Sequence, residues 1–266
     1  MRAITNPSNT SLSRRQFVAG GLAAGGASML LPSTALAAEA PKSTHTWLGL
    51  AHKQIYNFDV DVRIDRIPAR LDPKWLYFPS LQVNFDEHDE WGHGGVQWAS
   101  GRKKINWGGG SDGGYGKSHD GQKMSILQSY DWAPNTWYRY RVWRVSKDAS
   151  GYNRWLFAIK NYATGEDRQI GTLRTKSNWI NAAVVWIETG YGVGCSTDAV
   201  KISWRNPLYR CSTPGEFAPV SGTTSYNGTC TGSQNTNQWL VSRDPLQWTQ
   251  QTNTPRTNPA GRKLWG

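Results

Sequence analysis

The sequence is poor in cysteine, in acidic residues and in long apolar runs. Three Cys among 266 residues are too few for a disulfide-rich scaffold or for a zinc site with four thiolate ligands. No apolar run after residue 37 reaches the roughly 18 residues that a membrane-spanning helix needs. The 30 Lys and Arg residues outnumber the 19 Asp and Glu residues, giving a formal net charge of +11, which permits the binding of nucleic acid or an acidic polymer.

The first 37 residues predict an export signal. Residues 13–17 read Ser-Arg-Arg-Gln-Phe, which matches the twin-arginine export pattern, and a Gly- and Ala-rich stretch follows. Residues 35–37, Ala-Leu-Ala, form a small-x-small cleavage signature. We therefore expect cleavage before Ala38 and a mature protein that is secreted or associated with the cell envelope.

The rest of the chain predicts an all-β fold. Residues 58–65 alternate between apolar and charged side chains, which places Phe58, Val60, Val62 and Ile64 on one buried face of a strand. Turn-forming residues separate the segments, and no segment shows a helical period. The prediction is an antiparallel β-sandwich of the jelly-roll kind. The other strand-forming segments are residues 81–85, 95–98, 104–107, 122–130, 137–146, 154–161, 169–173, 180–188 and 200–204.

Composition divides the mature chain into three parts. Residues 38–53 form a short lead-in, and residues 54–207 form the sandwich. Residues 208–266 are rich in Ser, Thr, Asn and Gln and poor in aliphatic residues, which predicts a long irregular tail packed on the sandwich.

Cys211 and Cys230 flank a polar, turn-rich loop, so we expect a disulfide between them in an exported protein. Cys195 is then a free buried thiol. Alternatively, Cys195 is the true partner of one of the other two, since three cysteines allow three pairings.

The densest polar cluster spans residues 84–95 and contains four carboxylates and two imidazoles. Asp86, His88 and Asp89 are candidate metal ligands there, and Ca²⁺ is a possible ion because it prefers oxygen ligands. The spacing fits neither the calcium loop nor the helical zinc motif. A solvated connection between two strands is the simpler interpretation, and no other cofactor is expected.

Three residues are candidates for acid–base catalysis: Glu90, His93 and Glu188. Glu90 and His93 belong to the polar cluster, and a pair of carboxylates could serve as acid and base on a glycosidic bond. Glu188 ends an otherwise apolar strand, where it is a rim charge, an ion-pair partner or a ligand contact.

Gly residues stand beside Trp residues on two adjoining strands, at Gly94-Gly95-Val96-Gln97-Trp98 and at Asn106-Trp107. Gly lets a backbone, or a ligand, approach an aromatic face. Trp stacks on sugar rings while Gln and Asn bond hydroxyls, although core packing is the common role of such aromatics. The candidate ligand-binding residues are Gln97, Trp98, Asn106, Trp107 and Tyr115, the last in a Gly-rich loop at residues 108–116.

The Gly-Gly-Val-Gln-Trp run at residues 94–98, with the segments 137–142, 164–165, 170–171 and 186–188, resembles a bacterial exported family of unknown function. Its members carry a Gly-Gly-x-Gln core motif on a concanavalin- or laminin-G-like sandwich. The resemblance covers about residues 56–207. It implies a fold that often binds carbohydrate and sometimes cleaves it, and it brings no catalytic residues with it.

These observations lead to three hypotheses. The first is a non-catalytic sandwich that binds a polysaccharide or glycoconjugate. The second is a hydrolase or lyase acting on glycans, and the third is an envelope interaction protein without a small ligand. No recognised nucleic-acid motif is present, so nucleic acid is not an expected partner.

Overall fold

The computed structural model describes residues 43–86, 90–110, 126–190 and 192–266. The expected export signal lies outside these residues. The described residues form fifteen β-strands and one turn of 3-10 helix, Gly232–Gln234, and contain no α-helix. The strands are β1 Ser43–Gly49, β2 Ile55–Arg66, β3 Leu76–Phe85, β4 Trp91–Ala99, β5 Arg102–Gly110, β6 Ile126–Ser129, β7 Trp137–Lys147, β8 Asn153–Asn161, β9 Asp167–Thr175, β10 Ile180–Gly190, β11 Lys201–Cys211, β12 Ser221–Asn227, β13 Thr236–Arg243, β14 Leu246–Thr252 and β15 Lys263–Trp265.

The strands pair in two layers, and every pairing is antiparallel. The first layer has the order β15-β12-β1-β10-β3-β4-β5-β6. The second has the order β13-β14-β11-β2-β7-β8-β9. One bridge, between Ile55 and Ile180, joins them. The predicted antiparallel all-β sandwich is confirmed.

The core lies between the layers and follows the alternation of the strands. Phe58, Val60, Val62 and Ile64 are buried as predicted. Aromatic rings from opposite layers meet in the core, because a residue that faces inward in one layer meets the inward face of the other. The Trp107 ring of β5 stacks on the Phe157 ring of β8 at a centroid distance of 5.2 Å, and the Phe85 and Trp155 rings lie 4.6 Å apart.

Two segments that were expected to be irregular form strands instead. The lead-in contains β1, and residues 208–266 contain the end of β11 and the four strands β12 to β15. Polar side chains can be buried here because they bond one another. The Thr46 hydroxyl donates to Gln238 Oε1 at 2.5 Å, and Gln250 Nε2 donates to Thr46 Oγ1 at 2.9 Å. A polar composition alone therefore does not indicate a tail.

The disulfide joins Cys195 and Cys230, with 5.4 Å between the Cα atoms. The predicted pairing of Cys211 with Cys230 is wrong. Cys211 is the last residue of β11, and its buried thiol is free. The alternative that Cys195 is the true partner is the correct one. A disulfide is compatible with an exported protein, and export by the twin-arginine route stays a prediction.

Within the described ranges, no helix has the length and apolar character needed to cross a membrane.

Candidate functional site

The site is built on the outer face of the first layer, by which we mean the side of β1, β10, β3, β4 and β5 that points away from the core. On β10, Val185 and Ile187 point into the core, so Trp186 and Glu188 point outward. The register pairs Glu188 with Phe78 of β3 and with Ser43 of β1.

Gln97 reaches the same row from β4. Val96 belongs to the core, so its neighbour Gln97 points outward. The pairing of Tyr77 with Trp98 puts Gln97 opposite Phe78. Gln97 and Glu188 thus flank Phe78 at one level of the sheet, with their backbones about 10 Å apart, which is two strand spacings. Each side chain is long enough for both to contact one bound molecule between them.

The Gly-Gly motif makes room for this arrangement. A Cβ atom on Gly94 would lie 2.9 Å from the rings of both Phe157 and Trp107 in the core. A Cβ atom on Gly95 would lie 2.2 Å from the carbonyl oxygen of Pro79 and 3.2 Å from the Phe78 ring. Gly95 therefore gives the Phe78 ring space.

The Phe78 ring packs edge-on against the His93 ring, with centroids 5.5 Å apart. His93 pairs with Gln82, four residues along β3 from Phe78. The Phe78 ring therefore leans along the strand toward His93, and Phe78 is 2% exposed.

Glu188 is the only acidic residue in the eight strands of the first layer. It is half-buried, and its carboxyl has no hydrogen-bond or ion-pair partner within the described ranges. Burial raises the pKa of Glu188 to about 7, because a carboxylate loses hydration there without gaining a compensating charge. A carboxyl group of this kind exchanges protons near neutral pH.

Two amide side chains accompany Glu188. Gln97 and Asn106 are both 7% exposed, and the register of β4 and β5 places them on the same face. The side-chain oxygen of Asn106 is buried without a hydrogen-bond partner. A buried polar atom without a partner costs stability, so Asn106 is a residue whose partner a ligand could supply.

The two histidines of the outer face flank Trp186. The ring centroids of His45 and Trp186 lie 5.6 Å apart, and those of His93 and Trp186 lie 5.8 Å apart. Burial lowers the pKa of each imidazole to about 4, so both rings are neutral at neutral pH. The register places His93 about 13 Å from Glu188 along the strand direction, so these two candidates are not brought together.

Glu90 has a structural contact instead. Its carboxylate is buried and accepts hydrogen bonds from the backbone N–H groups of Lys176 at 3.0 Å and Ser177 at 2.8 Å. The structure therefore places it at the turn before β10, away from the row of Glu188.

Of the three candidate metal ligands, only Asp86 lies within the described residues. His88 and Asp89 lie outside the described residues. Asp86 Oδ1 accepts hydrogen bonds from the backbone N–H groups of Asn178 and Trp179 at 3.0 and 3.1 Å. The described part of the chain has no cluster of three or more His, Cys, Asp or Glu residues suited to a metal ion. The Ca²⁺ hypothesis stays a prediction.

Of the aromatic residues predicted to contact a ligand, Trp107 lies in the core and Trp98 is partly exposed. Trp107 is fully buried and its indole N–H donates to the carbonyl oxygen of Trp155 at 3.1 Å, so its faces pack in the core. Trp98 is half-buried, and its N–H donates to the carbonyl oxygen of Asp72 at 3.0 Å. Tyr115 lies outside the described residues.

Sequence reasoning found Glu188, Gln97 and Asn106 but missed their neighbours on this face. Ser43, Phe78 and Lys104 share the row, and nothing in the sequence shows which strands pair. The alternation within each strand could have shown which face each residue lies on. Only the register between strands shows which residues lie side by side.

No family model matches the sequence, and no curated protein matches it. The fold is similar to that of a scytalido-glutamic peptidase bound to a peptide-based transition-state analogue, with 9% identity, 79% of this chain and 97% of that chain covered, and a TM-score of 0.48. It is also similar to that of SCP-B, a member of the eqolisin family of peptidases, in complex with the tripeptide Ala-Ile-His. There the identity is 8%, the coverage is 81% of this chain and 98% of that chain, and the TM-score is 0.49.

Proposed function

We propose that the protein is a hydrolase that adds water to a carbonyl carbon, with a peptide bond as the substrate. The observation that carries the proposal is the position of Glu188. It is the single acid of the first layer, it has no partner within the described ranges, and the Gln97 amide lies across Phe78 from it at the same level.

Glu188 is the general base of this reaction. Its carboxylate takes a proton from a water molecule while the water oxygen bonds to the substrate carbonyl carbon. The protonated Glu188 then gives that proton to the leaving nitrogen as the C–N bond breaks. A pKa of about 7 suits both steps, because each protonation state is populated near neutral pH.

Gln97 supplies the second requirement. The addition of water turns the carbonyl oxygen into an oxyanion, which needs a hydrogen-bond donor. Gln97 lies on the side of Phe78 opposite Glu188, and in this reaction its side-chain NH₂ donates to that oxygen. Asn106 offers its unpartnered side-chain oxygen to a backbone N–H of the substrate.

The same residues argue against a glycosidase. Glycoside hydrolysis generally uses two carboxyl groups roughly 5 to 9.5 Å apart, and the strands of this layer place one carboxyl on the face. A single carboxyl beside an amide matches carbonyl chemistry better.

The test is turnover of a fluorogenic peptide library and of p-nitrophenyl butyrate by the full chain and by variants. Glu188→Gln is expected to lower kcat/KM by at least about 100-fold, and Gln97→Ala by about 100-fold. Glu166→Gln is the matched control, because Glu166 is an exposed residue on the turn between β8 and β9. It should leave the rate unchanged.

Two results would overturn the proposal. One is carbonyl hydrolysis that persists in Glu188→Gln. The other is Glu188-dependent cleavage of neutral or acidic polysaccharides with no action on peptides, which would favour the glycan hydrolase hypothesis. Polysaccharide binding without turnover in any assay would favour the non-catalytic hypothesis.

A further inference from the structure

A basic pocket lies beside Gln97 at the far end of the same row. Its volume is about 420 Å³, and five residues line it: Ser100, Arg102, Lys104, Gln128 and Ser129. Lys104 of β5 pairs with Gln97 of β4 on one side and with Ser129 of β6 on the other. The pocket is therefore the next position on the outer face beyond the proposed site.

The two cations of this pocket have no acidic partner. Within the described residues, neither Arg102 nor Lys104 forms an ion pair or a side-chain hydrogen bond, and none of the lining residues is acidic. The adjacent Lys103 points to the other face and is paired with Asp131 at 2.8 Å. On β5, Lys103 is thus paired with an acid on one face, whereas Arg102 and Lys104 lie unpaired, among the described residues, on the face of the proposed site.

The spacing relates the pocket to the scissile bond. If the reacting carbonyl lies midway between Glu188 and Gln97, Lys104 is about two strand spacings away, or roughly 10 Å. An extended peptide that crosses the strands advances about 3.3 Å per residue. A substrate residue two or three positions from the scissile bond therefore reaches Arg102 and Lys104.

We propose that this pocket is a specificity subsite that binds the carboxylate of an Asp or Glu side chain of a peptide substrate. The proposal rests on the proposed function for its substrate class. Two cations around one small cavity recognise a carboxylate by charge and by hydrogen bonds. All five lining residues are polar. The pocket therefore disfavours an apolar side chain, because burying the charged groups of Arg102 and Lys104 against it would leave them unpaired.

The test measures binding separately from catalysis. Calorimetry with the Glu188→Gln protein uses eight-residue alanine-based peptides that carry Glu at one interior position, and matched peptides with Gln there. At least one Glu peptide should bind about tenfold more tightly than its Gln counterpart at low salt. This preference should fall at 0.5 M NaCl, because salt screens exposed charges.

Variants locate the effect. Lys104→Gln should reduce the preference at least about fivefold, and Arg102→Gln with Lys104→Gln should abolish it. Lys103→Gln removes a neighbouring charge on the opposite face, so this variant should retain the preference for the Glu peptide. In the enzyme with Glu188 intact, Lys104→Gln should raise KM for the Glu peptide and leave kcat unchanged, as expected of a group that binds substrate and transition state equally.

The subsite is overturned if no Glu peptide binds better than its Gln counterpart, or if the preference survives the double variant. It is also overturned if oligogalacturonate binds through Lys104 while the Glu peptides do not. A Lys104-dependent preference without peptide hydrolysis would overturn the proposed function alone, so the two failures are distinguishable.

Discussion

The hydroxyl of Tyr140 donates a hydrogen bond to the carbonyl oxygen of Pro79 at 3.2 Å, joining the second layer to a central strand of the first. Pro79 has no N–H, so β3 cannot complete its ladder with β4 at this point. The same hydroxyl accepts a hydrogen bond from the N–H of Val96 at 2.9 Å. Tyr140 thus bridges the Pro79 carbonyl and the Val96 N–H where the ladder is interrupted, one residue from both Phe78 and Gly95.

Tyr140→Phe is expected to destabilise the fold by about 1–3 kcal/mol, because it leaves the Pro79 carbonyl and the Val96 N–H buried without a partner. Urea unfolding followed by Trp fluorescence measures the loss. Tyr162→Phe is the control, since the Tyr162 hydroxyl bonds Asp61 and Tyr162 is 41% exposed. An equal loss in both variants would contradict the bridging role of Tyr140.

The Gly-Gly motif gives a steric prediction. Gly95→Ala should destabilise the protein and reduce turnover, because the added Cβ would overlap the carbonyl oxygen of Pro79. Gly190→Ala is the matched control on β10, where the nearest atom would be Leu76 Cδ2 at an ordinary 3.6 Å. Thermal unfolding and peptide turnover should both separate the two variants, and a tolerated Gly95→Ala would refute the close approach.

Glu188 should make the protein less stable as the pH rises. Its pKa is about 7 when folded, against a reference value of 4.5, so the folded state holds the proton more tightly. The stabilisation is complete below pH 4.5 and is lost by pH 7, a change of up to about 3 kcal/mol. The difference in unfolding free energy between Glu188→Gln and the unchanged protein should grow across this interval. A constant difference would show that Glu188 titrates normally.

The histidines of the outer face act in the opposite direction. The pKa of His93 is about 4 when folded, against a reference value of 6.5, so the unfolded state holds the proton more tightly. The resulting stability is present above pH 6.5 and is lost as the pH falls to 4. His93→Gln should flatten the acid side of the stability profile. An unchanged acid side in His93→Gln would rule out this titration.

The disulfide gives a prediction that separates the three cysteines. Cys195 and Cys230 are 35 residues apart, and opening a loop of this size costs about 4 kcal/mol in the chain-entropy estimate. Cys195→Ser with Cys230→Ser should therefore lower the unfolding free energy by far more than Cys211→Ala. Alkylation followed by mass spectrometry should label Cys211 alone, and only after unfolding. Labelling of Cys230 under non-reducing conditions would contradict this pairing.

Period-two alternation predicted much of the sandwich, because a strand such as β2 shows its core face directly in Phe58, Val60, Val62 and Ile64. It failed for β13 and β14, whose buried Gln238 and Gln250 are inward-facing polar residues. Their partner is Thr46, 192 and 204 residues earlier in the chain. Such a network has no local signature, since each member looks like a surface residue until its partners are known.

The site shows the same limit. The sequence identifies Glu188 as an acid at the end of an apolar strand and Gln97 as part of a Gly-Gly-x-Gln motif. It does not show that β3 lies between their strands, so it cannot show that both flank Phe78. For Trp107 the sequence prediction of a ligand contact is wrong. A Trp beside Gly residues is equally suited to a ligand contact and to core packing, and Trp107 packs in the core.

The position of β1 affects how the chain acquires its structure. This strand, formed from Ser43–Gly49, lies between β10 and β12, so its neighbours are synthesised well over a hundred residues later. Closure of that sheet must wait for most of the polypeptide to leave the ribosome. Contacts between such distant segments slow folding. The row that holds Ser43 beside Glu188 therefore forms late in folding.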